Sequence, residues 1–137
     1  MKILGRHLIV ELVDCDRALL DDAAAMEMYL NEAARLAGAT IVHSVFHRYN
    51  PQGVSGVVVI AESHVSLHTW PEYGYAAVDF FTCGDRVDPY KAHDYLRDKL
   101  RAGDAQVREL KRGIPSLTDE TLNHKPSPFS PTRAAAG

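Results

Sequence analysis

Between Gly53 and Gly74 two extended runs follow each other with almost no chain between them. Val57-Val58-Val59-Ile60 is apolar and β-branched, the pattern of a buried strand. Glu62-Ser63-His64 breaks it with polar residues. From Val65 to Trp70 the chain alternates, Val65, Leu67 and Thr69 against Ser66, His68 and Trp70. A period of two puts the second set on one face of a strand. A hydroxyl at a tight strand junction, an imidazole close by and then Trp-Pro-Glu is more than a plain sheet needs.

The flanking sequence completes a sheet and covers it. Leu8 to Val13 is apolar apart from Glu11 and reads as a strand beginning near Leu4. Asp14-Cys15-Asp16 ends it, and Asp16 is placed to cap the next helix through its carboxylate. Leu19, Leu20, Ala23, Met26, Leu30, Ala33, Ala34 and Ala37 recur at helical spacing, predicting one helix over Arg17 to Ala37 that stops at Gly38. Thr40 to Tyr49 and Tyr75 to Cys83 read as further strands. Asn50-Pro51-Gln52-Gly53 is a turn from the first of these into the strand that holds Val57 to Ile60. Asp88-Pro89 opens a second helix to about Ala102, with Tyr90, Ala92, His93, Leu96 and Leu100 as its inner stripe. Ala105 to Leu110 is a last short strand, and proline-rich sequence from Gly113 reads as an irregular tail.

This order predicts an α+β fold, a two-layer sandwich with an antiparallel sheet and two helices packed on one face. Residues 1–112 would form a single domain and 113–137 a tail. The sheet's other face lacks a covering layer, so a second copy of the chain is its natural cover. With 137 residues, 46% of them hydrophobic, the chain can bury one core. A net charge of −3 argues against a nucleic-acid or anionic-membrane partner. No apolar run is long enough to span a bilayer and the start lacks a signal-peptide core, so the expected location is the cytoplasm. Cys15 and Cys83 have neither metal-finger nor CxxC spacing. His43/His47 and His64/His68 are spaced for a helix but lie on predicted strands, which weakens a metal assignment.

Ser63 carries the sharper chemistry. A turn serine is the ordinary role, yet its hydroxyl can also attack the carbonyl of Glu62. The amide then becomes an ester, β-elimination cuts the chain, and the new terminus hydrolyses to a pyruvoyl ketone. That sequence needs a base, an oxyanion donor and a constrained junction. His68 is a candidate base, and Cys83, just before Gly84-Asp85, is placed at a strand end.

Many further positions carry a resemblance. Leu4-Gly5-Arg6-His7-Leu8, Gly38-Ala39-Thr40-Ile41-Val42 and Phe46-His47-Arg48 contribute to it. So do Gly53 to Ile60, Glu62-Ser63-His64, His68 to Ala77, Phe81-Thr82-Cys83-Gly84 and Val87-Asp88-Pro89. Over roughly Leu4 to His93 the chain resembles the small, pyruvoyl-dependent S-adenosylmethionine decarboxylase proenzymes of bacteria and archaea. The resemblance implies cleavage between Glu62 and Ser63, with Ser63 becoming the pyruvoyl cofactor that forms a Schiff base with S-adenosyl-L-methionine. It implies that Ser55 and His68 act in processing, His68 as proton acceptor, and that Cys83 is the proton donor of catalysis. It places Tyr49 on adenine, where most members carry Phe, and Glu72 on the ribose hydroxyls. Trp70 suits a cationic sulfonium. The expected product is the aminopropyl donor of polyamine synthesis, with no metal or pyridoxal phosphate. A composite dimer site is implied, Ser63 and Cys83 of one copy facing Ser55, His68, Glu72 and Tyr49 of the other. The alternatives are a pyruvoyl decarboxylase of ornithine or arginine, against which Trp70-Pro71-Glu72 argues; an uncleaved nucleoside-binding relative; and a hydrolase using Cys83 and His68.

Overall fold

The computed structural model describes residues 3–113. The tail expected beyond Gly113 lies outside the described residues. β1 (Gly5–Val13) leads into a single-turn helix, α1 (Arg17–Leu20), and then α2 (Ala23–Leu36). β2 (Ile41–Arg48), β3 (Val54–Ile60), β4 (Ser63–Trp70) and β5 (Tyr75–Cys83) follow. A 3-10 turn, Pro71–Tyr73, separates β4 from β5; α3 (Pro89–Lys99) and β6 (Asp104–Arg112) complete the order. The six strands form one sheet in the order β2-β3-β4-β5-β1-β6, with every neighbouring pair antiparallel. The helices pack on one side of it, as the α+β expectation requires.

The core lies between sheet and helices. Leu8, Leu12, Val58, Val65, Val78 and Phe80 from the strands meet Leu20, Met26, Leu30, Leu96 and Leu100. Asp16 caps α1, accepting from the Leu19 amide at 3.1 Å, and Asp88 caps α3 through the Tyr90 amide at 3.0 Å. The single helix expected over Arg17 to Ala37 is instead two. Asp22 caps a new helix by accepting from Ala25 N–H at 3.0 Å. Asp21 turns away, its carboxylate taking Gly53 N–H at 2.9 Å and Arg48 at 2.7 Å. Those bonds hold its carboxyl below the usual carboxylate range. Thr69 ties the break to the sheet: its buried hydroxyl donates to Leu20 C=O at 2.7 Å and accepts from Val54 N–H at 2.9 Å.

Other boundaries shift by smaller amounts. α3 ends at Lys99, short of Ala102, and β6 is longer at both ends than Ala105 to Leu110. Ala92, His93, Leu96 and Leu100 are buried as expected, but Tyr90 is exposed. It faces β6, where its hydroxyl donates to Glu109 at 2.7 Å and its ring lies under Arg6. β3 begins at Val54 rather than Val57, and β4 begins at Ser63 itself. Gly56 is the cost of a close approach: a Cβ there would stand 2.1 Å from the Phe46 ring.

Candidate active site

Strand alternation separates two sets of side chains. Val65, Leu67 and Thr69 of β4 are buried beneath the helices, and His64, Ser66, His68 and Trp70 point to the open side. β1 contributes His7 and Glu11 to that side; β5 contributes Tyr75, Asp79 and Phe81. Of the polar residues singled out from the sequence, His68 and Trp70 lie on this open face, and the candidate site residues fall in two groups at opposite ends of β4.

The first group surrounds the β3–β4 hairpin. Ile60 pairs with Ser63, leaving Ala61 and Glu62 as the turn. Three bonds clamp it. Ala61 N–H donates to Thr40 C=O at 2.8 Å, and Thr40 N–H donates to the Glu62 carboxylate at 3.1 Å. Cys83 N–H donates to the Glu62 carbonyl at 2.8 Å. Between these anchors Ser63 is held at φ +136°, a backbone region that a side chain with a Cβ rarely adopts. Such a residue stores on the order of 1–3 kcal/mol and persists only where its surroundings over-determine it. The Glu62–Ser63 peptide is thus strained on its amino side and hydrogen-bonded at its carbonyl. Ser63 Oγ lies 3.2 Å from His64 Nδ1.

Cys83 is buried opposite Gly5, where an added Cβ would press to 3.2 Å from its sulfur. Gly5 thus leaves room for the thiol. Cys15, the other cysteine, is buried at the far end of β1; burial and neighbouring Asp14 push its thiol up to about 11.

The second group is an aromatic row. Ser55 and His68 are register partners on β3 and β4, and Ser55 Oγ bonds His68 Nδ1. The His68 ring lies 4.1 Å from Trp70 and 5.6 Å from Tyr49. Trp70 stacks on Tyr75 at 5.1 Å, and the Tyr75 hydroxyl donates to Glu11. Burial, and then that carboxylate, push the Tyr75 phenol up to about 12. Glu72 is exposed on the turn after Trp70. A cavity of about 390 Å³ runs along the open face beside His68, lined by Glu11, Ser66, Ala77 and Asp79 among others.

The structure thus brings Ser63 together with Cys83, and Ser55 together with His68, Tyr49 and Trp70. It does not bring the groups to each other within one chain. His68 is five residues along β4 from Ser63, about 17 Å at strand rise. Sequence reasoning missed His7, Glu11, Tyr75 and Asp79, which line this face. Alternation within β1 and β5 was the signal for all four, and His7 and Tyr75 also lay within the stretches that carry the resemblance. Among the described residues no group of three or more His, Cys, Asp or Glu is arranged to hold a metal.

The sheet with a helix layer on one side and a polar, aromatic face on the other defines a two-layer α+β sandwich with one face left open. The crystal structure of the adenosylmethionine decarboxylase from Aquifex aeolicus matches it with a TM-score of 0.81 at 36% identity, covering 90% of this chain and 99% of that one. A family model for S-adenosylmethionine decarboxylase matches residues 6–113. Over 113 residues the chain is 59% identical to the S-adenosylmethionine decarboxylase proenzyme of Fervidobacterium nodosum, 82% of each protein being covered. It is 57% identical to that of Thermotoga maritima, covering 82% of this chain and 87% of the relative. The chain belongs to the S-adenosylmethionine decarboxylase family.

Proposed function

We propose that the chain is a proenzyme that cuts itself between Glu62 and Ser63 and then decarboxylates S-adenosyl-L-methionine, using a pyruvoyl group made from Ser63. The clamped hairpin carries this proposal: a serine at φ +136° follows a carbonyl that already accepts a backbone N–H. Attack by Ser63 Oγ on the Glu62 carbonyl carbon places negative charge on that oxygen, and Cys83 N–H is aimed at it. Cleavage also releases the backbone strain. Made from Ser63 at the start of β4, on the strand next to the one that carries Cys83, the pyruvoyl group would supply an electron sink for decarboxylation. Cys83 returns a proton to the substrate carbon that has lost CO2.

Tyr49, Trp70 and Glu72 bind the nucleoside and sulfonium, through ring faces and one carboxylate. They lie with Ser55 and His68 at the other end of β4, so the working site is composite. Two copies joined across their open faces set Ser63 and Cys83 of one against Ser55 and His68 of the other. Val45 and Val59 are exposed on that face, apolar surface that a second copy would cover. His68 then removes the Ser63 α-proton in the elimination that completes cleavage. Residues 1–112 form the catalytic domain. The proposed setting is the cytoplasm, and no helix among the described residues is long and apolar enough to cross a membrane.

Intact mass spectrometry tests the proposal. The expected products are a chain ending at Glu62 and a 75-residue chain beginning at position 63, lighter than its serine-initiated form by one ammonia. A single uncut species that releases no CO2 from S-adenosyl-L-methionine would overturn it.

A further inference from the structure

The imidazole at the Ser63 hydroxyl is His64, not His68. Strand alternation alone would put neighbours 63 and 64 on opposite faces. The φ of +136° at Ser63 breaks that alternation, and Ser63 Oγ sits 3.2 Å from His64 Nδ1. The other ring nitrogen, Nε2, faces Asp79 Oδ2 at 3.6 Å. Asp79 is itself held firmly: Ser66 Oγ donates to its Oδ1 and His7 Nε2 bonds its Oδ2 at 2.7 Å. Arg112 donates to His7 Nδ1 at 3.3 Å, which assigns the His7 proton to Nε2 and leaves Asp79 an acceptor. The His64 ring stands edge-on to Phe81, with centroids 5.6 Å apart.

We propose that His64 takes the proton of the Ser63 hydroxyl in the first step of self-cleavage, with Asp79 as its positioning residue. The inference rests on the self-cleavage proposed above and assigns its first proton transfer. The carboxylate beside Nε2 favours a proton there, so the Nδ1 lone pair faces the hydroxyl. As Ser63 Oγ bonds to the Glu62 carbonyl carbon, its proton passes to His64 Nδ1. The C–N bond of Glu62–Ser63 then breaks, and the same proton moves to the departing nitrogen. The product is an ester with a free amine, reached with no net gain or loss of protons. Asp79 stabilises the transient imidazolium. His68, at the other end of β4, is left for the later elimination, so the two histidines act at different steps and, in the composite site, from different chains.

The groups facing His64 are Ser63 and Ser66 on its own strand, Asp79 and Phe81 on β5, Val59 on β3 and His7 on β1, with Arg112 of β6 behind His7. His64→Gln tests its role in freshly purified, uncut chain. Cleavage is followed by mass and the ester is trapped with hydroxylamine. The expected result is cleavage at least ~100-fold slower than in the unaltered chain, the scale of a lost general base, with no hydroxylamine-sensitive ester. Cleavage within threefold of the unaltered chain overturns the proposal. So does an ester that accumulates, since the first step is then intact. Asp79→Asn provides a second measure should His64→Gln misfold. Losing the carboxylate frees the ring to turn away from Ser63 Oγ, so cleavage slows and Asp79→Glu restores part of the rate; cleavage in Asp79→Asn within threefold of the unaltered chain, or no recovery in Asp79→Glu, overturns the relay. An unaltered chain that never cleaves refutes the self-cleavage proposal itself; an unaltered chain that cleaves beside a normally cleaving His64→Gln refutes only this inference.

Discussion

The two faces of one sheet differ in how their residues are satisfied. On the helix side Leu8, Val58, Val65 and Phe80 are removed from water in the apolar core shared with the helices. On the open side His7, Ser55, His64, Ser66, His68 and Asp79 bond to one another across strands. The first face fixes the register for the second. A slip of one residue would send Val65 to the open side and His64 into the core, so the apolar face determines which polar groups meet. The difference shows that the chemistry is positioned by side chains that take no part in it.

Substitutions on the two faces should therefore fail differently. The largest effect belongs to Ser63→Ala, which should leave a folded chain with no cleavage and no decarboxylation, read by mass and CO2 release. Phe80→Ala should cost about 3–5 kcal/mol in denaturant unfolding, as for a fully buried aromatic, and lose cleavage only as far as folding is lost. If Phe80→Ala stops cleavage while leaving stability intact, the separation between the faces is broken. Cys83→Ala keeps the backbone N–H to Glu62, so maturation should persist while turnover falls ~100-fold, measured on purified cleaved chain. Thr69→Val leaves the Val54 N–H without its buried acceptor and should cost about 1–3 kcal/mol, with the cleavage rate of folded chain unchanged.

The smallest effect is on pH dependence. Burial lowers the His93 pKa, so its folded form resists a proton that the unfolded chain accepts. Stability should decline as pH falls from 6.5 towards that lowered value, and His93→Leu should flatten this segment in thermal melts. Asp21 and Glu109 have carboxyls lowered by hydrogen bonds, Asp21 from the Gly53 amide and then Arg48, Glu109 from Arg6 and then Tyr90. Their contribution is present above the unfolded carboxylate values and is lost in stronger acid, as pH falls through the lowered ones.

Much of the fold was legible because it is local. Period-two alternation placed His68 and Trp70 on the open side of β4, and Asp16 and Asp88 announced their helices. The break between α1 and α2 was not legible, because Leu19 to Ala37 keeps helical spacing through it. Asp21 leaves the helix for Gly53 and Arg48, partners about thirty residues away. Tyr90 fits the α3 stripe by spacing, yet β6 and Arg6 draw it outward.

The amino-acid sequence by itself determined the existence of the strands, the helix caps at Asp16 and Asp88 and the polar character of one face, since propensity and periodicity act over a few residues. It also carried the family resemblance through its glycine and polar positions. Only the tertiary structure decided that Cys83 N–H meets the Glu62 carbonyl, that Ser63 is bent to φ +136°, and that Asp79 lies behind His64. Those contacts come from register between β3, β4 and β5, and register is set by how the whole apolar face packs beneath the helices.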